Sequence, residues 1–95
     1  MAITQFAFMA LSQDSPVAYG GGASIETATP TGSSAATTAA ATASQNVCRV
    51  ATDTAVYVAF GSAPTASSSA GFLVPANTIE YFRVGTGNKA AVITA

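Results

Sequence analysis

The second half of the chain alternates apolar and polar positions with a period of two, the repeat of a half-buried β-strand. Val47-Cys48-Arg49-Val50 puts Cys48 and Val50 on one face and Arg49 on the other. Ala55 to Phe60 sets Val56, Val58 and Phe60 against Tyr57. Phe72-Leu73-Val74 resumes the sheet. Ile79 to Val84 then alternates Ile79, Tyr81 and Arg83 with Glu80, Phe82 and Val84, and Lys89 to Thr94 closes with Val92 and Ile93. The breaks have turn chemistry: Thr52-Asp53-Thr54, then Pro75-Ala76-Asn77, where proline fits the second turn position and asparagine tolerates positive φ, and a hairpin at Gly85-Thr86-Gly87-Asn88. Small polar residues from Ser62 to Ala70, including Pro64, form a loop that is exposed or docked on a neighbour.

The first half is less regular. Residues 2 to 11 are apolar, with Phe6 and Phe8 on one face of a strand and Ile3, Ala7 and Met9 on the other, so both faces are expected to be covered. Gln13-Asp14-Ser15-Pro16 is a turn, and Gly20-Gly21-Gly22 a flexible joint. From Ser24 to Ser44 the chain is nearly all Ala, Thr, Ser and Gly. Alanines favour a helix over Ala35 to Ala43, threonines favour an extended segment, and the lack of large side chains leaves disorder open as a third state. The chain divides into an extended N-terminal strand with its Gly-rich joint (1–23), an Ala/Thr/Ser-rich segment (24–44) and a β-meander core (45–95), all one domain. Short strands at turn-marked intervals make it all-β, a small antiparallel β-sandwich or barrel-like domain with an extended N-terminal strand.

Composition sharpens this reading. A chain of 95 residues hides only about 60% of the surface its unfolded form exposes. One cysteine rules out an internal disulfide, and without histidine the usual zinc sets are missing, so no cofactor or metal is expected. Charged residues are 7% of the chain and hydrophobic ones 49%, against roughly 25% charged in an average domain. Association with neighbours is the remaining source of stability. A net charge of −1 offers no basic footprint for nucleic acid and no attraction to an anionic membrane. The longest apolar runs, Phe6 to Leu11 and Ala55 to Phe60, are too short to cross a bilayer as helices, and no basic residue before Arg49 supplies a signal-peptide n-region. The chain is expected to be made in the cytoplasm.

Candidate chemistry is sparse. Asp14, Glu26, Asp53 and Glu80 show no pairing or calcium-loop spacing, and Asp53 is expected to cap its own turn. Cys48 has only Arg49 nearby, on the opposite face, and is expected to be a small buried hydrophobe. Without histidine there is no Ser-His or Cys-His pair, and an enzyme is not expected. Tyr57, Phe60, Phe72, Tyr81 and Phe82 are read as core, with a tyrosine free to serve an interface.

The run Cys48 to Gly61, followed by Phe72 to Phe82 and Ala90-Ala91-Val92-Ile93, resembles small virion structural proteins of tailed bacteriophages: a strand, a polar turn, a Val-x-Val-x-Phe-Gly strand, a Pro-Ala-Asn-Thr turn and an aromatic strand. It covers about half the chain and brings no catalytic residue. The resemblance implies a capsid decoration (cement) protein of the virion, bound to the major capsid protein in a homo-oligomer such as a trimer. Phe6, Phe8, Met9, Tyr57 and Arg83 are the expected interface residues, while Val56, Val58, Phe60, Phe72 and Phe82 hold the fold. Truncation of residues 1 to 11 is expected to abolish capsid binding and leave a sheet. The alternatives are a tail or neck adaptor or fibre base, and a Thr/Ala-rich surface for adhesion or ice binding, although Thr27, Thr29, Thr31, Thr37, Thr38 and Thr42 are unevenly spaced.

Overall fold

The structure, a computed structural model, describes residues 3–10, 19–42 and 45–95; the expected Gln13–Pro16 turn and Asp14 lie outside them. The described strands are β1 (Thr4–Ala10), β2 (Tyr19–Ala28), β3 (Ala35–Ala36), β4 (Val47–Thr52), β5 (Val56–Gly61), β6 (Phe72–Val74), β7 (Thr78–Arg83) and β8 (Lys89–Thr94). They form two four-stranded antiparallel sheets, the first in the order β2-β1-β4-β7 and the second β3-β8-β5-β6. The chain is therefore an all-β sandwich and not a closed barrel.

The alternation seen in the sequence decides which side chains meet between the sheets. Register pairs Phe6 with Val50 and Phe8 with Cys48 in the first sheet, and Val56 with Val74 and Val58 with Val92 in the second. All eight side chains are fully buried. Arg49, one residue out of phase, points away from this core.

The core is built only in part from the residues expected to build it. Phe6 and Phe8 are enclosed by this chain alone and are not available as interface residues, because β1 lies inside the first sheet between β2 and β4. Removing residues 1 to 11 would take out an interior strand, so the expected survival of the sheet does not fit this architecture. Of the five residues assigned to hold the fold, Val56 and Val58 are buried and Phe60 and Phe82 half-buried, while Phe72 is 59% exposed. Tyr81 is also exposed. Strand β7 runs along a sheet edge with no described strand paired beyond it, and valines with two phenylalanines already fill the space between the sheets.

The glycine triplet is part of β2 rather than a joint. The described part of the small-residue segment after it, up to residue 42, is extended rather than helical and straps one side of the sandwich. Carbonyl oxygens and amides of β8 hold it: Thr94 N–H donates to Thr31 O (2.9 Å), Thr37 N–H to Ala90 O (2.7 Å), and Ala90 N–H to Thr37 Oγ1 (3.1 Å). Further on, Ala41 N–H donates to Asn88 O (2.8 Å) and Gly87 N–H to Ala41 O (2.8 Å). From the other sheet, the Glu26 carboxylate accepts the Thr38 N–H (2.8 and 3.0 Å) and the Ala39 N–H (3.1 Å). Backbone bonding takes the place of the large side chains the segment lacks.

The opposite side has no strap. Strands β6 and β7 lie there in different sheets, joined by the turn at Pro75–Asn77, with Asn77 at the expected positive φ of 57°. Gly85–Asn88 likewise carries the chain from β7 in one sheet to β8 in the other, with Gly87 at φ 85°. It is a turn between sheets and not the expected hairpin.

Candidate interaction surface

The described residues bring no three His, Cys, Asp or Glu side chains together. Cys48 is fully buried, and burial pushes its thiol pKa up to about 12, which withholds the reactive thiolate. The Glu26 carboxylate is committed to the strap. Asp53 does not cap its own turn: its Oδ1 accepts the Ile3 N–H (2.7 Å) and its N–H donates to Ile3 O (3.1 Å), pinning the start of β1 to the end of β4. The local turn is held by Thr52, whose Oγ1 donates to Thr54 O (2.6 Å) and accepts the Thr54 N–H (3.3 Å).

What remains is surface. On the second sheet the chain covers much of its own outer face. Ala66, from the loop at residues 62–70, packs on Ala59 and Ala91, and its N–H donates to Ser34 Oγ (2.8 Å). Gly71 brings that loop back so closely that a Cβ there would lie 2.9 Å from Ser67 O and 3.1 Å from Tyr57 Cβ. The loop is thus docked on its own chain at Ala66 and exposed elsewhere.

On the first sheet the outer face is exposed in part: Ala7, Met9 and Val47 are buried on it, while its two edge strands stand in water. Register across the strands gives one row, Ile25–Ala7–Arg49–Tyr81, and a second, Thr27–Gln5–Ala51–Ile79. The alanines make a low floor between taller flanks, and Ile25 (64%), Ile79 (50%) and Tyr81 (61%) are exposed. Arg49 Nη1 donates to Gln5 Oε1 at 3.4 Å. Toward the β7 end of this face a shallow depression of about 480 Å³ opens between Ile3, Gln5, Ala51, Asp53, Asn77 and Ile79. The two guanidiniums on these strands are Arg49 and Arg83; among the described residues the nearest carboxylate in the same alternation is Asp53, at the far end of β4.

Of the expected interface residues, Arg83 is exposed on this face, and Met9 lies two places along β1 from Ala7, 8% exposed. Tyr57 is half-buried on the outer face of the other sheet, between Leu73 and Ile93, so the structure does not bring it together with Arg83. Sequence reasoning missed Ile25, Ile79 and Arg49 and assigned Tyr81 to the core. Ile79-Glu80-Tyr81-Phe82-Arg83 carries no local signal that separates the faces, because each has a charge in phase with an aromatic, Arg83 with Tyr81 and Glu80 with Phe82.

Of the threonines in the small-residue segment, Thr27, Thr29, Thr31, Thr38 and Thr42 are exposed. Thr37 is buried and bonded to Ala39 O (2.9 Å), and Thr31 is engaged with Ser33. Set against protein-family models, curated protein sequences and solved structures, the chain matches none of them.

Proposed function

We propose that this chain is a structural protein of a virion, a decoration protein that binds the head shell through the outer face of its first sheet. The observation that carries the reading is that face: flat, nearly free of carboxylates, with exposed isoleucines and a tyrosine beside two guanidiniums. Such a surface suits a large protein partner that is apolar with an acidic rim. A shell repeats one site many times, so a modest area per copy is multiplied. Contacts made only with the assembled shell stabilise it by mass action. The dispersed carboxylates and the sequestered thiol support a binding role over catalysis.

The test is the amount and position of the protein in purified particles from cells that make it. Hundreds of copies on the head are expected; a dozen or fewer at one vertex would make it a tail or neck adaptor, and absence from the particles would overturn the reading. Ile25→Asp should remove most shell binding while leaving the melting curve nearly unchanged, since this side chain is largely in water.

A further inference from the structure

We infer that strand β7 is a self-pairing edge, through which two copies of this chain join their first sheets into one continuous sheet about a two-fold axis at Tyr81.

The inference starts from which backbone groups β7 leaves free. In an antiparallel ladder, directly opposed residues alternate between pairs that exchange both hydrogen bonds and pairs that exchange none. Val84 N–H donates to Asn46 O (3.0 Å), a directly opposed pair one step beyond the β4–β7 register. On the other side of β4, Asp53 N–H donates to Ile3 O (3.1 Å), in register with the β1–β4 ladder. Both bonds give the same phase: Val47, Arg49 and Ala51 bond to β1, while Cys48, Val50 and Thr52 bond to Phe82, Glu80 and Thr78 of β7. The N–H and C=O groups of Ile79, Tyr81 and Arg83 therefore point away from the sheet, and no hydrogen bond joins them to another described residue.

An edge of this kind calls for another strand, and natural edges are usually guarded by proline, a bulge or charge. β7 has no proline and pairs with β4 without a bulge; its charges are Glu80, in phase with Phe82, and Arg83 at its end. Its outward row begins with exposed Ile79 and Tyr81, and the neighbouring edge, β6, adds Phe72 and Leu73 at 59% and 57% exposure. This is more exposed apolar surface than a solvent-facing edge normally keeps.

Self-complementarity selects the register and favours a second copy. Two-fold pairing centred on Glu80 would set two carboxylates directly opposite, and pairing centred on Arg83 would oppose two guanidiniums and leave most of the strand unpaired. Pairing centred on Ile79 or Phe82 opposes no like charges but carries the free groups onto residues 75, 77 or 85, beyond the strand. Centring on Tyr81 also opposes none, and it pairs the free groups of Ile79, Tyr81 and Arg83 wholly within the strand. Ile79 lies against the aliphatic stem of Arg83 from the second copy, Glu80 against Phe82, and the free groups of all three outward residues are paired. The axis is normal to the sheet, so the β6 edges of the two copies come to the same side.

The inference holds whether or not the protein sits on a shell, and it fails separately: a monomer that still decorates particles would refute it alone. Sedimentation equilibrium of the full chain should give twice the 9.3 kDa chain mass. Tyr81→Pro should restore the monomer with an intact fold, because it removes only an outward N–H, which an edge strand tolerates; Tyr81→Lys is the second variant should the proline disturb β7. Directly opposed, mutually bonded residues have Cα atoms about 5.5 Å apart, within disulfide reach. Mild oxidation of Tyr81→Cys should therefore trap nearly all of the protein as a covalent dimer, while Ile25→Cys at the other edge of the sheet stays unlinked. A monomeric wild type at high concentration, an oligomer unaffected by both Tyr81 variants, or equal cross-linking at the two positions would overturn the inference.

Discussion

The two sides of the sandwich solve the same problem in opposite ways. On the β2/β3 side the chain closes the gap between the sheets itself, with a strap of small residues whose amides are taken up by β8 and by the Glu26 carboxylate. On the β6/β7 side the turn at Pro75–Asn77 and the contacts of Phe82 with Phe60 and Phe72 join the sheets, and Phe72, Leu73, Ile79 and Tyr81 remain largely in water. The side poorest in apolar atoms is the sealed one, because hydrogen bonds do the sealing. The side richest in exposed apolar atoms is the one left for a neighbour, since burying those atoms is worth about 25 cal/mol per Å² only when something covers them.

The largest expected contrast is between two phenylalanines. Phe8→Ala should cost about 3–5 kcal/mol, the usual figure for an enclosed ring. Phe72→Ala, which loses a tilted contact with Phe82 at a centroid distance of 5.3 Å, should cost about 1 kcal/mol. Urea unfolding of both variants checks this; equal losses would mean that the open side is as well packed as the centre.

Cys48 sharpens the comparison from within the core. Its thiol titrates at about 12 in the folded chain against 9.0 when unperturbed, so above pH 9 the unfolded state holds fewer protons than the folded one. Stability should therefore be unaffected below about pH 9 and fall as pH rises toward 12. Cys48→Ala should flatten that slope. At neutral pH a thiol reagent should label Phe72→Cys at position 72 quickly and leave Cys48 alone until the chain unfolds.

The strap should respond to a single carboxylate. Glu26→Ala strands the Thr38 and Ala39 amides and should cost about 1–2 kcal/mol, at the low end for charged hydrogen bonds because the site is partly in water. Hydrogen exchange at those two amides should accelerate while β7 exchange is unaltered; a change at β7 instead would link the two sides. The smallest effect belongs to the turn of the open side. With Asn77 at φ 57°, Asn77→Ala should cost about 1 kcal/mol and Asn77→Gly almost nothing, by thermal unfolding.

Much of the strand pattern was legible because it is local. Cys48 and Val50 against Arg49, and Ile79, Tyr81 and Arg83 against Glu80 and Phe82, follow from a period of two, and the positive φ at Asn77 from the chemistry of one turn. What the sequence hides is lateral position. An apolar N-terminal strand reads alike whether it is an interior strand or an arm for another subunit, so Phe6 and Phe8 were assigned outward although they are the centre of the core. Tyr81 and Phe72 were assigned inward because nothing local says that β7 and β6 are edges. Partners distant in sequence, such as Glu26 with Thr38 or Asp53 with Ile3, leave no periodic trace. The shared face of Ile25 and Ile79 exists only once β1 and β4 are placed between their strands.

The central claim, that one edge of the molecule is finished by its own chain and the other by a neighbour, is tested most directly by amide hydrogen exchange along β7 at increasing protein concentration. The amides of Ile79, Tyr81 and Arg83 should exchange freely in dilute solution and become protected as the concentration rises, while those of Glu80 and Phe82 stay protected throughout. Exchange at Ile79, Tyr81 and Arg83 that does not depend on concentration would contradict the account.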